Sequence, residues 1–323
     1  MKRNLVFGLV WVLVYLCLDG SPLGAAEKIR IAVTNFNMSF LPAGIAVKKG
    51  FFKDEGLDAE VIRMNANIAI AALAGGDIDY TMIFGSVVRA AIRGLPMKVV
   101  ASFIDGSTHA LIVRPEIKTV RDLKGKTVGL QAFGATDHIA GMMMLKKFGV
   151  DPEKDVKMLA LGPASARLAA LRESVVDGVV ISPPGDAEAK NLGFTVLTRA
   201  YEVFSFPFVG LGTHLRKLKE RPGEVKRTIK ALIRANRFLR ENREGTIQIL
   251  TEWGRTTPEL AAAAYDSSWK VYSADGTIPE EGLLAVIDQA VKESKLTREV
   301  AVGEVADVAL LREVQKEMGI KAK

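Results

Sequence analysis

The chain has 323 residues, of which 49% are apolar and 25% charged, so its composition is that of a folded protein and excludes a disordered one. This length suits two lobes of about 100–200 residues each. Aromatic residues make up only 7%, which is few for a protein that stacks on nucleic-acid bases. The net charge of +7 is dispersed, and the densest basic stretch, 215–243, is interleaved with glutamates as on a solvated helix face. We therefore expect no nucleic-acid partner.

Residues 1–26 have the layout of a secretory signal peptide. Lys2 and Arg3 precede an apolar run of 14 residues, and Gly24-Ala25-Ala26 supplies the small residues that signal peptidase requires. We expect cleavage after Ala26 and a periplasmic or secreted protein. A retained membrane anchor is the alternative, but a span needs about 20 apolar residues. The single cysteine, Cys17, lies in this segment, so the mature chain would have neither a disulfide nor a thiolate site.

The rest of the chain alternates strand patterns with helix patterns, which predicts an α/β fold with largely parallel sheets. The first run has strands at 28–36, 58–64, 78–84 and 97–104, with helices at 42–50, 67–76 and 86–94 between them. A second run has strands at 127–131, 155–161 and 178–184, with helices at 134–150 and 166–176. From about 217 onward the pattern is almost entirely helical. These C-terminal helices must pack on a lobe that is already formed.

A short internal repeat relates the two runs. AALAGGDIDYTMIFG begins at Ala71, and AALRESVVDGVVISP begins at Ala169, 98 residues later. In both, Ala-Ala-Leu is followed by an aspartate (Asp79 or Asp177) and by a strand that ends in isoleucine. The same helix–turn–strand unit therefore occurs once in each half, which predicts two similar lobes that meet at a cleft.

Short polar residues and glycines follow most of the predicted strands, where ligands bind in open α/β sheets. They occur at 34–39, 84–86, 105–108, 133–137 and 182–185. Glycine allows close approach of a ligand to the backbone, and serine, threonine and asparagine supply hydrogen-bonding groups without bulk. The three histidines are isolated from one another, without zinc-site spacing, so we expect no metal and no cofactor.

Four stretches resemble landmarks of one family, the substrate-binding proteins of ABC importers that serve sulfonates, taurine, nitrate and thiamine-pyrimidine precursors. These stretches are GIAVKKGFFKDEGLDAEVI, ALAGGDIDYTMIFGS, KTVRDLKGKTVGLQAFGATDH and the residues around DGVVISPP. Their order and spacing fit the family over about 28–215. The resemblance implies a type II periplasmic-binding-protein fold, in which two α/β lobes close on a small solute about a hinge. The first lobe would comprise 27–117 together with the C-terminal part, 211–323, and the second would comprise 118–210.

The resemblance also implies which residues contact the solute. Asn35, Phe36, Asn37 and Ser39 follow the first strand, although such residues also cap helices. Phe84 and Ser86 follow the third strand, and Asp105 and Thr108 lie between two strands, where an aspartate can equally serve a turn. A helix begins at Gly134, Ala135, Thr136, Asp137 and His138, and its free N–H groups would hold an anionic or polar head group. The Asp137 carboxylate would repel an anion and compete with it for the same N–H groups. Pro184 and Phe206 would form apolar walls.

The resemblance implies a non-enzymatic protein that captures a small polar or anionic organic solute and delivers it to a membrane permease. We expect a monomer. An enzyme of the same fold is the first alternative, either a pyrimidine-precursor synthase, which relies on a cysteine-rich motif, or a cytoplasmic enzyme of the menaquinone pathway. A ligand-sensing subunit of a signalling system is the second alternative, and the sequence contains no signalling domain that supports it.

Overall fold

The structure is a computed structural model that describes residues 26–204 and 206–321. The predicted signal sequence, apart from Ala26, lies outside the described residues. Within them, no helix is both long enough and apolar enough to cross a membrane.

The described residues contain ten strands and fifteen α-helices. The strands are β1 (Glu27–Val33), β2 (Leu57–Arg63), β3 (Tyr80–Thr81), β4 (Met97–Ile104), β5 (Ala110–Val113), β6 (Lys126–Leu130), β7 (Val156–Ala160), β8 (Gly178–Ile181), β9 (Thr195–Arg199) and β10 (Val209–His214). The helices are α1 (Leu41–Lys48), α2 (Phe51–Asp54), α3 (Ala66–Gly75), α4 (Phe84–Ile92), α5 (Thr136–Lys147), α6 (Ala164–Arg172), α7 (Gly185–Asn191), α8 (Ala200–Val203), α9 (Leu215–Glu220), α10 (Pro222–Glu241), α11 (Arg243–Gly254), α12 (Pro258–Ser268), α13 (Glu280–Glu293), α14 (Val302–Val305) and α15 (Ala309–Glu317). Single 3₁₀ turns lie at Met38–Phe40, Val120–Leu123 and Trp269–Val271.

The strands form two five-stranded sheets of the same design. The first has the order β2-β1-β3-β10-β4 and the second the order β7-β6-β8-β5-β9. In each sheet the first three strands are parallel, and the fourth runs antiparallel to both of its neighbours. The prediction of two α/β lobes built on largely parallel sheets is therefore confirmed.

The internal repeat has a structural counterpart. Strands β3 and β8, which end the two repeat units, occupy the middle position of their sheets. The Asp79 carboxylate accepts the backbone N–H of Arg30 on β1 at 2.8 Å, and the Asp177 carboxylate accepts that of Thr127 on β6 at 2.9 Å. Each aspartate thus satisfies an otherwise unpaired backbone donor beside the shorter central strand.

The chain passes between the two sheets twice, and the two passages lie side by side. The first lies between β4 and β5 and the second between β9 and β10. They are joined by backbone hydrogen bonds, among them those from the N–H of Tyr201 to the carbonyl of Ser107 and from the N–H of Phe206 to the carbonyl of Asp105. The expected boundaries at 117 and 210 fall after these passages, since β5 belongs to the second sheet and β10 to the first.

The long C-terminal helix α10 packs on the first lobe. Val225, Ile229, Leu232 and Leu239 recur at helical spacing and are buried in one core cluster with Ile45 of α1. Its charged face pairs with acids, as between Lys226 and Glu317, Lys230 and Glu55, and Arg234 and Asp54. The basic stretch at 215–243 is therefore a solvated, ion-paired helix surface, as predicted.

Candidate functional site

A cleft of about 890 Å³ lies between the two sheets. Its walls come from both halves of the chain. One side consists of the loop after β1, the end of β2 with the two residues that follow it, and the end of α11, and the other consists of the ends of β6, β7 and β8. The volume is within the range of about 300–1,000 Å³ that small-molecule sites occupy. Among the described residues no group of three or more histidines, cysteines or acids is placed to hold a metal ion.

Six of the residues predicted to contact the solute line this cleft: Asn35, Phe36, Asn37, Ser39, Thr136 and Pro184. Four of these follow β1, because the carboxyl end of that strand opens into the cleft. Thr136 is the first residue of α5, and Pro184 follows β8. The structure thus brings predicted contacts from both halves of the chain together in one cleft. That these residues contact the solute remains a prediction.

The other nine predicted contacts lie outside the lining of the cleft. Phe84 and Thr108 are fully buried, and Phe206 is nearly so and borders a separate small apolar cavity near the crossing segments. Ser86 accepts a hydrogen bond from Arg89 at 2.9 Å, and Asp105 accepts one from Ser102 at 3.3 Å. The remaining four, Gly134, Ala135, Asp137 and His138, surround the start of α5, where only Thr136 reaches the cleft. Contact of these nine residues with the solute remains a prediction.

Two side-chain hydrogen bonds hold the loop after β1. Asn37 Nδ2 donates to Ser182 Oγ at 3.2 Å, which joins the loop after β1 to the end of β8. Ser39 Oγ and Thr108 Oγ1 are 2.9 Å apart and both buried, which fixes that loop to the first crossing segment. The loop after β1 is therefore held by both halves of the molecule.

Arg167 on α6 is a buried cation in the cleft wall, and the sequence analysis did not select it. Arg167 is only 5% exposed, and its Nη1 donates to Asp137 Oδ2 at 3.0 Å and to the carbonyl of Val180. The backbone N–H of Gln131 also donates to the same Asp137 oxygen. Burial raises the pKa of Asp137 despite the opposing effect of the Arg167 charge, and burial lowers the pKa of Arg167. We predicted that the Asp137 carboxylate would compete with an anionic solute. In the structure this carboxylate instead forms an ion pair with Arg167 and orients its guanidinium.

An aromatic wall faces the cleft from the side of the first sheet. The rings of Phe36 and Trp253 are 4.5 Å apart at 58°, and both residues line the cleft. Gly44 makes this wall possible, because a Cβ at that position would lie 2.7 Å from the indole of Trp253. Phe36 is 38% exposed, which leaves much of its ring available for contact.

His109 lines the cleft as a neutral imidazole. It is 7% exposed, its Nδ1 lies 3.1 Å from Ser107 Oγ, and its ring packs edge-on against Phe208 at 5.0 Å. Burial, with a smaller effect from the charge of Arg167, lowers the pKa of His109 to about 3. It can therefore donate or accept one hydrogen bond at neutral pH without adding charge.

The charged side chains of the lining favour an anion. They are three arginines, Arg63, Arg167 and Arg255, against one glutamate, Glu188. Because the buried Asp137 carboxylate also pairs with Arg167, one net positive charge is left. Arg255 has a left-handed backbone, with φ of 48°, at the end of α11. Glycine is preferred in that conformation, so the arginine side chain is retained there at a cost in backbone strain.

Three buried polar atoms of the lining have no hydrogen-bond partner among the described residues. They are Asn37 Oδ1, Trp253 Nε1 and Arg167 Nε. Ten buried side-chain atoms of the described residues lack a hydrogen-bond partner, and these three belong to the cleft lining. Buried polar atoms in folded proteins are nearly always paired, so these three are candidates for pairing with a bound solute. The sequence could not single out Trp253 or Arg167, since both lie within helices whose contact with the cleft depends on tertiary packing.

The described residues form a two-lobed α/β fold with a cleft between the lobes. The chain belongs to the NMT1/THI5-like family, whose model matches residues 37–245, more than half of its length. The family predicted from the sequence is confirmed.

Solved structures show the same fold. The alkanesulfonate-binding protein SsuA of Xanthomonas axonopodis pv. citri, bound to MOPS, is 20% identical, with a TM-score of 0.73 over 88% of this chain and 100% of SsuA. The periplasmic nitrate-binding protein NrtA of Synechocystis is 17% identical, with a TM-score of 0.74 over 91% of this chain and 89% of NrtA. The ligand-binding component of an ABC-type import system of Staphylococcus aureus is 15% identical, with a TM-score of 0.73 over 89% of this chain and 99% of that protein. The fold is that of the periplasmic binding proteins.

Proposed function

We propose that this protein is the extracytoplasmic solute-binding component of an ABC importer. It captures a small organic anion in the cleft between its lobes and delivers it to a membrane permease. The orphan atoms of Asn37, Trp253 and Arg167 are the observation that carries the proposal, because they come from both sides of one cleft. A solute that pairs with these atoms binds more tightly when the lobes are closed than when they are open. The difference between the two binding energies shifts the protein toward the closed arrangement.

The comparisons support the parts of this proposal that the cleft alone does not address. The two fold neighbours named for their ligands bind alkanesulfonate and nitrate, which are anions, and the Staphylococcus aureus neighbour is a component of an ABC-type import system. We propose in addition that the leader ending near Ala26 is cleaved, that the protein is periplasmic or secreted, and that it acts as a monomer without enzymatic activity. The two lobes would be 27–104 with 209–321, and 110–199, joined by the crossing segments as a hinge.

A thermal-shift screen tests the proposal directly. The purified protein is heated alone and with each member of a panel of sulfonates, nitrate, pyrimidines, flavins, aromatic acids and amino acids. A solute present at about 100 times its dissociation constant adds roughly 2.7 kcal/mol to the free energy of unfolding, so the true class of solute gives a saturable rise in Tm.

The same protein is also denatured, and the small molecules that it releases are identified by mass spectrometry. A released solute explains a flat thermal-shift screen, because a site that is already filled shows no further stabilisation. A flat screen together with the absence of any released molecule would contradict the proposed function.

A further inference from the structure

The guanidinium of Arg167 is hydrogen-bonded through Nη1 to Asp137 and to the carbonyl of Val180, whereas its buried Nε has no partner among the described residues. Nε and Nη2 together form the side edge of a guanidinium, whose two parallel N–H groups match two oxygens of one carboxylate or sulfonate. Asp137, itself 1% exposed, holds the guanidinium in place from behind.

The surroundings of this edge favour a negative head group. Helices α5 and α6, of 12 and 9 residues, both begin at the cleft wall, where Thr136 and Ala164 belong to the lining. Neither helix has a side-chain cap hydrogen bond at its N-cap residue. The N-terminus of α6 therefore adds positive potential on the side of the second sheet, whereas Asp137 in the first turn of α5 offsets the dipole of that helix.

The opposite side of the cleft is aromatic. Phe36, Phe40, Phe208 and Trp253 all belong to the lining and all come from the half of the chain that builds the first sheet. Phe36 is 38% exposed although its ring packs on Trp253, and both residues belong to the lining, so part of the apolar Phe36 surface is available for contact. Rings that meet such a face in offset or edge-on geometry gain energy beyond their buried area.

We propose that the solute is an aromatic carboxylate or sulfonate, with its anionic group on the unpartnered Nε edge of Arg167 and its ring against Phe36 and Trp253. This inference rests on the proposed function and assigns a chemical class to the solute. Arg167 is the anchoring residue for the head group, and the Phe36–Trp253 wall selects for the ring.

Isothermal titration calorimetry on the purified protein tests this assignment. The anionic aromatic probes are benzoate, 4-hydroxybenzoate, phthalate and benzenesulfonate. Each is compared with a probe that lacks one feature, namely benzamide without charge, cyclohexanecarboxylate without an aromatic ring, and ethanesulfonate and nitrate without a ring of any kind. At least one aromatic anion should bind about 100-fold more tightly than benzamide and about 10-fold more tightly than cyclohexanecarboxylate. The comparison of benzoate with benzenesulfonate identifies the head group.

Variants test the two residues. Because Arg167→Gln alone leaves Asp137 buried without its partner, the test uses the double variant Arg167→Gln with Asp137→Asn, which preserves size and removes both charges. It should lose about 100-fold in affinity for the best aromatic anion. Phe36→Leu should lose about 10-fold. Arg172→Gln is the matched control, since Arg172 is an exposed residue of the same helix that pairs with Glu173, and it should remain within about twofold of the wild type.

Failure of this inference is distinguishable from failure of the proposed function. If nitrate, ethanesulfonate or a neutral solute binds and no aromatic anion does, the solute class is wrong and the receptor function stands. Unchanged affinity in the folded double variant would remove Arg167 as the anchor, and equal binding of cyclohexanecarboxylate would remove the aromatic selection. If no probe binds and the denatured protein releases no small molecule, both proposals fail.

Discussion

Asn37 and Ser182 are 145 residues apart in the chain and form a side-chain hydrogen bond of 3.2 Å across the cleft. One follows β1 in the first sheet and the other follows β8 in the second. The contact shows the two halves of the molecule brought together at the site where we place the solute. It also orients Asn37, whose Oδ1 is one of the orphan atoms in the lining.

A double-mutant cycle measures this contact. We expect Asn37→Ala and Ser182→Ala to show a coupling of about 0.5–1.5 kcal/mol in the free energy of unfolding, since the two side chains share one hydrogen bond. Urea unfolding of the wild type, both single variants and the double variant gives the value. Ser165→Ala, an exposed serine in α6, serves as the control and should couple to neither. A coupling energy near zero would mean that the lobes are apart in solution.

Gly44→Ala should disturb the aromatic wall from behind. The added methyl group would lie 2.7 Å from the Trp253 ring, and overpacking of this kind costs about 1–3 kcal/mol. Gly223→Ala in α10 is the matched control, because nothing lies within 4 Å of its Cβ, and it should stabilise the protein by up to about 1 kcal/mol. Thermal unfolding with tryptophan fluorescence follows both variants. Equal effects of the two substitutions would contradict the close packing of Trp253.

His109 should make the protein less stable in acid. Its folded pKa is about 3 and its unfolded pKa about 6.5, so between these values the unfolded chain binds the extra proton. The free energy of unfolding should therefore fall as pH decreases through this window, by roughly 1.4 kcal/mol per pH unit from this residue. Urea unfolding of wild type and His109→Gln at several pH values isolates the effect, since the variant lacks this part of the slope. Parallel profiles would show that His109 is protonated in the folded protein.

Arg255→Gly should move stability and binding in opposite directions. Glycine relieves the left-handed backbone and should add about 1 kcal/mol to the free energy of unfolding, while loss of the positive charge should weaken anion binding about twofold to fivefold. Lys295→Gly is the matched control, because Lys295 has a similar φ of 52° and lies outside the lining of the cleft. The Lys295→Gly variant should have a higher free energy of unfolding and an unchanged affinity for the anion. Calorimetric titration and urea unfolding measure the two quantities. Weakened binding by both variants would indicate a general electrostatic effect.

The repeat and the strand–helix alternation predicted the fold because they reflect local requirements. Asp79 and Asp177 recur since each must satisfy a backbone donor of the neighbouring strand, and the sequence therefore carries the same residue in both halves. The sequence selected residues of the cleft lining where they follow a strand or begin a helix, as for Asn37 and Thr136. The lining was missed where a helix contributes from a distance, as for Trp253, because helix periodicity does not distinguish a core face from a cleft face.

Capture of a solute between two lobes is the central claim, and hydrogen exchange with mass spectrometry tests it most directly. The exchange of backbone amides is measured with and without a saturating concentration of the solute found by thermal shift. We predict slower exchange on both sides of the cleft, in 35–40 after β1 and in 131–136 and 182–185 of the other half, because closure buries both walls. Protection confined to one lobe, or located away from the cleft, would contradict the account.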